Sequence, residues 1–584
     1  MLSLLIPFSL LVLQRAGPSK ADAVQITVPA TPSSTINEVH SNFLGISFEL
    51  SFMTDYFGND TDHINTPMLN YLAGIKARTG NNPVRIRIGG NSADSSPYID
   101  ASSSPMVQLQ AGKFNANDQP VTYNPELWSV MASVAKSVNG VAYVINVPLG
   151  IQPNKSLSDD IRTILGSSLD SMLLGNEPDL YSAHGKRTNL QNYTVPDYIG
   201  EYANAIGVIG STDSAGKQDI GGPSICCNWD LRTLLQQGYL TNFTSSLKYI
   251  VLQHYPQNNC NPGVFPYQMP WYLQHSNVVT LTQWQAPGIQ YLLQQPAATR
   301  PQLINSEFNS ASCGGVPFSP SFAVGSLWSI DYALQMATVG YSQAYLHTRE
   351  AGISYNLLAP PPGPAGSAGP WTTNAPYYAL LVVAEALRTD HGAFITDLNL
   401  GGSATDPKAL SSAYAVYNVG NNTVSRLVIF NYANSSQEFQ VPSSVFSSSG
   451  TALVKFLSAA TPEEVTNISW GGETWGPGVS DGKTAVSPSW ATPNVQLSDC
   501  SKTGCSFTAP GPSLAMVILD NFAPQVIAAQ DPNTAANGTN STTGSTSDTG
   551  SGGGAKGKGG AMSLNAVTTF GALLSLVTLT LLSF

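Results

Sequence analysis

The chain has 584 residues, of which 42% are hydrophobic and 10% are charged, and its formal net charge is −11. This length exceeds what one hydrophobic core normally accommodates, so two folded domains are expected. An acidic chain without a run of Lys and Arg lacks the basic face that phosphate backbones require, and nucleic acid is therefore excluded as the expected partner.

The N-terminus has the pattern of a secretory signal peptide. The apolar run from Leu2 to Leu13 is too short to span a bilayer, and Ala21-Asp22-Ala23 offers a small-x-small cleavage site. No Lys or Arg precedes the apolar run, which departs from the usual pattern. We expect residues 1–23 to be removed, with Val24 as the first mature residue.

Eight short apolar runs, mostly bounded by Gly, Pro, Asn or Ser, predict strands between about residues 43 and 352. They are FLGISFEL from Phe43, VRIRIGG from Val84, VAYVINVPLG from Val141, SMLLGNEP from Ser171, IGGPSICC from Ile220, YIVLQHYP from Tyr249, PQLINSEF from Pro301 and QAYLHTRE from Gln343. Stretches of helical period lie between most of them. This alternation predicts an α/β fold, a parallel (β/α)₈ TIM barrel over residues 40–389, with a doubly wound open sheet as the alternative.

The sequence pattern changes after about Arg388, where the helical periodicity of hydrophobic residues is nearly lost. AYAVYNVGNNTVSRLVIFNYAN reads as two strands joined by the turn Gly420-Asn421-Asn422, and further short strands follow up to SLAMVILD from Ser513. Residues 390–525 are thus predicted to form a second, all-β sandwich-like domain. The segment 24–39 contains VQITVPA, which is expected to join this sheet as an N-terminal strand.

The C-terminus resembles an anchoring signal. Residues 526–560 are a stalk rich in Ser, Thr and Gly, and residues 561–584 form a tail whose last part, from Ala566 to Phe584, is apolar and uncharged. Small residues, a polar spacer and a terminal apolar tail are typical of a GPI-attachment signal, and a tail-anchored helix is the alternative. We therefore expect a secreted protein, held at the cell surface only through a GPI anchor.

Sequons and cysteines agree with export. Nine Asn-x-Ser/Thr sequons are candidate glycosylation sites: Asn59, Asn154, Asn192, Asn242, Asn421, Asn434, Asn467, Asn537 and Asn540. Of the six cysteines, Cys500 and Cys505 are expected to form a disulfide across a short loop. The spacings leave the connectivity of Cys226, Cys227, Cys260 and Cys313 open and match no zinc pattern, so no metal is expected.

Two acids follow apolar runs at predicted strand ends. Glu177 ends the fourth strand in LLGNEPD, and Glu307 ends the seventh in LINSEFNS. Active sites of (β/α)₈ barrels lie at the C-terminal ends of the strands, so both carboxylates are expected at one mouth. A carboxyl pair of this kind suits glycoside hydrolysis. The alternative for either Glu alone is a salt bridge or a helix cap.

With these motifs the chain resembles the retaining glycosidases of clan A, and more closely glycoside hydrolase family 79, the β-glucuronidase and heparanase family. The resemblance covers residues 24–525. It rests on FLGISFE, RIGGNSAD, LLGNEPD, HYP, NSEFNSASCGG, GISYNLL and the terminal β-domain. It implies a (β/α)₈ catalytic barrel, a second β-domain, hydrolysis without a cofactor and a glycan or proteoglycan substrate.

The resemblance also implies roles for individual residues. Glu177 corresponds to the catalytic acid/base and Glu307 to the catalytic nucleophile. Asn176 would contact the sugar 2-OH, Tyr255 and Arg87 would orient the nucleophile and keep it ionised, and Glu49 and Asn91 would line the terminal-sugar subsite.

A further implication is a pocket for the carboxylate of glucuronate. Backbone N–H groups after the nucleophile and a Tyr after the eighth strand would build it, at Cys313, Gly314 and Tyr355. This sequence has Ser312 where the family would have an aromatic residue, and Cys313 where Gly or Ser is usual. These differences bear on glucuronate specificity more than on glycosidase activity.

Several other residues carry weaker signals. His254 is interpreted as a substrate hydrogen-bonding group or a packed histidine. His184 and Lys186-Arg187 are assigned to a solvated loop, and WTTNAPYY at residues 371–378 to core packing. Gly89-Gly90 lacks the spacing of a phosphate-binding loop, and no nucleophile elbow is present.

The expected function is a retaining exo-β-glucuronidase that removes glucuronate or its 4-O-methyl ether from extracellular glycans. A neutral-sugar glycosidase or cell-wall transglycosidase of the same clan is one alternative. A catalytically silent, GPI-anchored carbohydrate-binding protein is another. The sequence leaves the natural glycan, exo versus endo action and the oligomeric state open.

Overall fold

The protein is represented by a computed structural model. It describes residues 23–100, 105–112, 117–190, 192–363, 367–486 and 488–520. Residues 1–22 of the expected signal peptide, the stalk and the C-terminal tail lie outside these ranges, as do the sequons at Asn537 and Asn540. Within the described ranges, every helix is too short or too polar to cross a membrane.

Eight parallel strands close into a barrel in chain order, with the last strand pairing with the first. The predicted (β/α)₈ barrel is therefore confirmed, and the open sheet is excluded by closure. The barrel strands are β1 (Leu44–Glu49), β2 (Val84–Gly89), β3 (Val141–Val147), β4 (Leu169–Leu174), β5 (Ile220–Ile225), β6 (Leu247–Gln253), β7 (Gln302–Phe308) and β8 (Tyr341–Thr348).

Helices connect consecutive barrel strands and cover the outside of the barrel. The principal ones are Thr66–Thr79, Glu126–Ser137, Lys155–Leu165, Val195–Ile209, Leu231–Leu234, Leu240–Phe243, His275–Thr282, Ala286–Leu293, Ser329–Thr338 and Ala375–Ala386. Shorter turns of helix are Leu50–Phe52, Met53–Phe57, Gly90–Ala93, Gly166–Ser168, Pro178–Leu180, Leu235–Tyr239, Met269–Tyr272 and Phe322–Trp328. Two small hairpins lie in the connections, Val107–Leu109 with Val121–Tyr123 and Leu358–Ala359 with Thr372–Thr373.

Side chains fill the barrel interior below the site. Val144, Leu173, Tyr249, Ile304 and Tyr345 belong to a separate buried apolar cluster. A barrel of eight strands is just wide enough for such a plug, so the open space is left at the C-terminal ends of the strands.

The second domain is built from two sheets, as predicted. The larger sheet contains, in spatial order, Ala393–Asp397, Ser411–Asn418, Val424–Asn431, Ser513–Ile518, Ala452–Ser458, Ser469–Trp470, Glu473–Thr474 and Ala485–Val486, and Val495–Leu497 also pairs with Ala452–Ser458. The smaller sheet contains Val24–Gln25, Gln437–Val441 and Cys505–Ala509. The N-terminal segment thus crosses to the β-domain and pairs Val24 with Phe439.

Both faces of the larger sheet are buried. Tyr414 and Val416 belong to the same core as the barrel helices, whereas the alternate residues Ala413 and Ala415 pack with the smaller sheet around Phe439. Because one face meets the barrel and the other meets the sandwich core, these strands are apolar at nearly every position.

All six cysteines are paired. Cys500 and Cys505 form the predicted disulfide. The other four, whose connectivity the sequence left open, form the bonds Cys226–Cys227 and Cys260–Cys313.

Candidate active site

A cavity of about 490 Å³ lies at the C-terminal ends of the barrel strands. Its lining includes both predicted catalytic acids, Glu177 and Glu307. The other lining residues are Glu49, Asn91, Asn117, Asp118, Leu180, His184, Cys226, Cys227, His254, Tyr255, Pro256, Gln257, Asn258, Cys260, Ser312, Cys313, His347, Arg349 and Tyr355.

Glu307 is placed in this cavity by an irregularity near the end of β7. Asn305 pairs with Leu252 and Glu307 pairs with Gln253, so one residue of β7 has no partner between them. Such a bulge turns the following side chain relative to the regular pleat. The Glu307 N–H donates to Asn305 Oδ1 at 3.2 Å, which fixes the local conformation.

Both carboxylate oxygens of Glu307 accept a hydrogen bond. Arg87 Nη1 donates to Oε2 at 2.5 Å, and Tyr255 Oη donates to Oε1 at 2.9 Å. The Arg87 side chain is fully buried, and only 10% of the Glu307 side chain is exposed. The carboxylate is thus held in place by a charge-assisted hydrogen bond from a cation and by a hydrogen bond from a hydroxyl.

Glu177 follows β4 through a sharp backbone turn. Its φ of 47° lies in the left-handed region, which is uncommon for Glu, and its N–H donates to the carbonyl of Ser224 at 3.1 Å. Burial, followed by the negative charge of Glu307, raises the pKa of the Glu177 carboxyl well above its usual value. Glu177 is thus arranged to hold a proton beside the carboxyl of Glu307, which Arg87 binds.

Arg87, which lies on β2, connects Glu307 to residues of β1 and β3, the strands on either side of β2. Beyond its bond to Glu307, it donates to Asn146 Oδ1 at 2.9 Å, to Ser47 Oγ at 2.9 Å and to Asn176 Oδ1 at 2.8 Å. Four bonds from one guanidinium fix its position, so the Glu307 carboxylate is held by a rigid partner.

Asn176 lies beside the cavity with its amide already engaged. Its Oδ1 also accepts from Gln253 Nε2 at 2.9 Å, and its Nδ2 donates to Asn91 Oδ1 at 3.0 Å. Asn91 lines the cavity, whereas Asn176 is 3% exposed and lies just behind the lining. Contact of Asn176 with a sugar hydroxyl stays a prediction.

Glu49 is the third acid of the cavity. Burial alone would raise its pKa, but the hydrogen bond and charge of His347, with Arg349 and Ser92, lower the pKa of Glu49 to about 2. His347 Nε2 lies 3.2 Å from Glu49 Oε2, and the Ser92 N–H donates to Oε1 at 2.8 Å. Glu49 is therefore a permanent anion able to accept hydrogen bonds from sugar hydroxyls.

The two glycines of RIGG, Gly89 and Gly90, allow the side chains of Asn146 and Glu49 to lie close to the backbone. A Cβ on Gly90, whose φ is +81°, would lie 2.2 Å from Glu49 Oε2, and a Cβ on Gly89 would lie 2.3 Å from Asn146 Oδ1. Glycine is thus required at both positions, because the side chains of Glu49 and Asn146 lie too close to the backbone at the end of β2 to leave room for a Cβ.

His254 is both packed and part of the lining. Its ring stacks on Trp284 with centroids 4.2 Å apart, and its Nδ1 lies 3.2 Å from Tyr332 Oη. Burial lowers the pKa of His254 to about 4, so the ring is neutral near neutral pH. It does not act as a cation at this site.

The three residues expected to bind a carboxylate differ in position. Cys313 and Tyr355 line the cavity, but Gly314 lies just outside the lining, and its carbonyl accepts from Ser354 Oγ at 2.9 Å. Cys313 is bonded to Cys260 and has a φ of +57°. Their role in carboxylate binding stays a prediction.

The loop after β4 differs from its sequence-based interpretation. His184 is exposed at the rim of the cavity, but Lys186 donates to Ser95 Oγ at 2.5 Å, and Arg187 forms an ion pair with Glu201 at 2.8 Å. These cations hold the loop against the barrel, so the assignment of Lys186 and Arg187 to a solvated loop was wrong. The interpretation of residues 371–378 as core holds, because Tyr377 and Tyr378 are buried.

Comparisons with known proteins bear on this geometry. The model of the glycosyl hydrolase family 79 C-terminal beta domain matches residues 413–516. A β-glucuronidase of Neurospora crassa is 26% identical over 451 residues, which cover 72% of this chain and 77% of that protein. A β-glucuronidase of Aspergillus niger is 24% identical over 501 residues, which cover 78% and 86% respectively. The domain match and the two relatives together support glycoside hydrolase family 79.

Solved structures support the fold of this chain. The crystal structure of a 4-O-α-L-rhamnosyl-β-D-glucuronidase from Fusarium oxysporum is similar with a TM-score of 0.67 and 19% identity, over 85% of this chain and all of that one. A family 51 α-L-arabinofuranosidase from Bifidobacterium longum gives a TM-score of 0.57 at 12% identity, over 86% of this chain and 100% of that chain. The chain is a glycoside hydrolase with a barrel and a β-domain.

Sequence analysis missed several site residues of this chain. They are Ser47, Asn146, Gln253, His347, Arg349 and the pair Cys226–Cys227. The first four are polar residues inside otherwise apolar barrel strands, near the C-terminal end of each. That position was a usable signal, because a polar side chain in a buried strand needs a partner. Among the described residues, no group of three or more His, Cys, Asp or Glu side chains is arranged to hold a metal ion.

Proposed function

We propose that the protein is a retaining exo-β-glucuronidase that releases terminal glucuronate, or its 4-O-methyl ether, from extracellular glycans. One observation carries the proposal. Glu307 is hydrogen-bonded by Arg87 and Tyr255, while the pKa of Glu177 in the same cavity is raised by burial and by the charge of Glu307. This is the division of roles that two-carboxylate glycoside hydrolysis needs.

The first step forms a covalent intermediate. A Glu307 carboxylate oxygen attacks the anomeric carbon, and the bond from that carbon to the glycosidic oxygen breaks. Glu177 donates its proton to the departing oxygen, so the leaving group departs as a neutral alcohol. Arg87 and Tyr255 stay bonded to the carboxylate and keep it oriented.

The second step releases the sugar. Glu177, now ionised, takes a proton from water as the water oxygen attacks the anomeric carbon. The bond to Glu307 breaks and its carboxylate returns to Arg87 and Tyr255. Two inversions give a product with the original anomeric configuration, and no cofactor takes part in either step.

The proposal of glucuronate rests on the activities of similar proteins and on the positive charge of Arg349. Both fungal relatives are β-glucuronidases, and the similar Fusarium protein acts on a rhamnosyl glucuronide. Arg349 lines the cavity on the side of Tyr355 and Glu49, and its guanidinium donates to Asn117 Oδ1 at 2.8 Å. Its Nε is also paired with Glu350 Oε2 at 3.1 Å, and its guanidinium at the cavity wall would favour an anionic sugar over a neutral one.

Turnover of aryl β-glucuronide, β-glucoside and β-xyloside tests the substrate class. We expect the glucuronide to be hydrolysed at least tenfold faster in kcat/KM, with NMR showing the β-anomer of the sugar as the first product. Turnover of the neutral sugars alone would replace glucuronate by a neutral substrate. First release of the α-anomer would replace retention by inversion.

We further propose that the protein is secreted and carries N-glycans and a GPI anchor. All six cysteines are paired, which is typical of an oxidising compartment. Among the seven described sequon asparagines, Asn154 and Asn467 are half-buried, and the exposed ones are Asn59, Asn192, Asn242, Asn421 and Asn434. A mass decrease on treatment with an N-glycosidase and release from cells by a phosphatidylinositol-specific phospholipase are the expected results.

A further inference from the structure

A disulfide between adjacent residues forms part of the cavity wall. Cys226 and Cys227 directly follow β5, and their sulfurs are bonded to each other. Cys226 is buried, Cys227 is exposed, and both line the cavity that holds the two catalytic acids. The two-step mechanism gives this bond no part.

This disulfide is fastened to the turn that carries Glu177. The carboxylate of Asp179, two residues after Glu177, accepts hydrogen bonds from the N–H groups of Cys226 at 3.2 Å, Cys227 at 2.7 Å and Asn228 at 2.7 Å. Asn228 Nδ2 also donates to the Asp179 carbonyl at 3.1 Å. The sulfur pair therefore has a fixed position relative to the proton donor.

The order of the barrel strands places this wall opposite the polar side of the cavity. In a closed ring of eight strands, β5 lies across from β1, and β4 lies across from β8. Glu49 belongs to β1 and His347 to β8, whereas Glu177 follows β4 and the disulfide follows β5. A sugar held by Glu49 and attacked by Glu307 thus has its glycosidic oxygen, and the leaving group bonded to that oxygen, on the side of Glu177.

We propose that the Cys226–Cys227 disulfide is the floor of the leaving-group subsite, where it contacts the apolar face of the first sugar after the cleaved bond. The proposal rests on the proposed function, because it takes Glu177 as the proton donor. Two bonded sulfurs closed into a ring with the backbone form a rigid and polarisable surface. Such a surface suits the C–H groups on one face of a pyranose.

The residues around this part of the cavity wall also indicate whether the sugar in the leaving-group subsite is charged or neutral. Leu180, His184, Cys226 and Cys227 line this side and carry no permanent charge, whereas Asp118, which also lines the cavity, is paired with Lys186 of the loop after β4 at 3.4 Å. Arg87 and Arg349 belong to the side of β2 and β8, and Lys186 on the side of β4 is already paired with Asp118 and bonded to Ser95. A neutral sugar therefore fits this subsite better than a sulfated or uronic one.

The experiment compares two substrates in two matched variants. β-Glucuronyl fluoride has no ring in its leaving group, and a β-glucuronyl disaccharide with a neutral hexose at its reducing end has one. Cys226→Ser/Cys227→Ser removes the sulfur pair but keeps the backbone N–H groups that bind Asp179. Cys500→Ser/Cys505→Ser removes a disulfide from the β-domain and serves as the control.

We expect kcat/KM of the first variant to fall roughly five- to twentyfold on the disaccharide and less than twofold on the fluoride, a difference of the size expected for lost contact with one sugar face. The control should match the wild type on both substrates. Equal losses on both substrates would show that the disulfide only positions the Glu177 turn. No loss on either would show that the wall touches no sugar.

A second measurement uses the unmodified protein. A water-soluble phosphine reduces exposed disulfides, and alkylation with mass spectrometry reports each bond separately. A neutral hexose or disaccharide product should slow reduction of Cys226–Cys227 but not of Cys500–Cys505; equal rates with and without sugar would overturn the proposal. If the wild type hydrolyses only neutral-sugar analogues, the glucuronate assignment fails by itself, and the same comparison on the accepted sugar still tests the wall.

Discussion

Two buried carboxyl groups of this protein have opposite protonation behaviour. Glu385 is fully buried between the barrel and the β-domain, yet its pKa is lowered, because Lys455 and Arg78 more than offset the effect of burial. Glu177 is less buried and opens onto the cavity, yet its pKa is raised well above the usual value. Depth alone therefore does not decide which carboxyl ionises.

The partners of each group account for the difference. Glu385 Oε1 accepts from Arg78 Nε and Trp470 Nε1, both at 2.8 Å, and Oε2 accepts from Lys455 Nζ at 2.5 Å. Glu177 faces the charge of Glu307, and the guanidinium nearby is already bonded to that nucleophile. A closed and neutralised network stabilises the fold, whereas an unbalanced one leaves a carboxyl that can hold and release a proton.

The largest expected effect comes from the nucleophile. Glu307→Gln keeps the shape of the side chain and removes the charge that attacks the anomeric carbon. We expect kcat to fall by roughly three to five orders of magnitude while sugar binding persists. The measurement is turnover of an aryl glucuronide alongside binding of glucuronate, and an unchanged rate would mean that the nucleophile is another residue.

Glu177→Gln should lower activity in a way that depends on the leaving group. The rate on a disaccharide, which needs a proton on its departing oxygen, should fall about 10²- to 10⁴-fold. Formation of the intermediate from glucuronyl fluoride needs no such proton and should change far less. Equal losses on both substrates would remove Glu177 from the acid role.

The same variant also tests the pH dependence. Because the proton on Glu177 is the one donated, kcat/KM of the wild type should fall as pH rises through the raised pKa, and this limb should disappear in Glu177→Gln. The folded-state pKa lies above the unfolded value of 4.5, so the stabilisation linked to this proton is present below 4.5 and is lost as pH rises through the folded pKa. The variant should therefore be no less stable than the wild type at neutral pH.

Glu385→Gln is the matched change in the closed network. It leaves Arg78 and Lys455 buried with one negative charge fewer, so we expect a loss of about 3–5 kcal/mol in the free energy of unfolding. Denaturant titration measures the loss, and kcat of the folded variant should stay within twofold of the wild type. A stable Glu385→Gln protein would show that this network contributes specificity of packing and little stability.

The smallest expected effect concerns His275, another ion at the domain boundary. His275 Nδ1 lies 3.0 Å from Asp331 Oδ1 and Nε2 lies 3.1 Å from Asp397 Oδ2, and Asp331 also accepts from Tyr414 and Tyr432. Burial would lower the pKa of His275, but Asp331 and Asp397 raise it to about 10.

The raised pKa of His275 sets the pH range in which this residue stabilises the folded protein. Because the folded value lies above the unfolded value of 6.5, the stabilisation is complete below pH 6.5 and is lost as pH rises toward 10. We expect the free energy of unfolding of the wild type to exceed that of His275→Gln by roughly 1–3 kcal/mol at pH 6 and by less at pH 9. A difference that does not change with pH would show that His275 is neutral in the folded protein.

Much of the fold was predictable because its signals are local. Each barrel strand is a short apolar run; Glu177 follows the fourth strand, and Glu307 lies near the end of the seventh. The β-domain was recognisable from the hairpin at Gly420. The disulfide between Cys500 and Cys505 needed only a short loop.

The features that sequence reasoning missed depend on contacts between distant segments. Gln253 meets Asn176 across 77 positions, and His347 meets Glu49 across the closure of the barrel. Lys186 and Arg187 look solvated in the sequence because their partners, Ser95 and Glu201, are identified only by the fold.

Covalent trapping tests the central claim most directly. 2-Deoxy-2-fluoro-β-glucuronyl fluoride should form the glycosyl-enzyme and slow its hydrolysis, because the 2-fluoro group destabilises both transition states while fluoride speeds the first step. Mass spectrometry of the peptides should find one label per chain, on Glu307, and no label in Glu307→Gln. A label on another residue of the active protein, or none while turnover is blocked, would contradict this account.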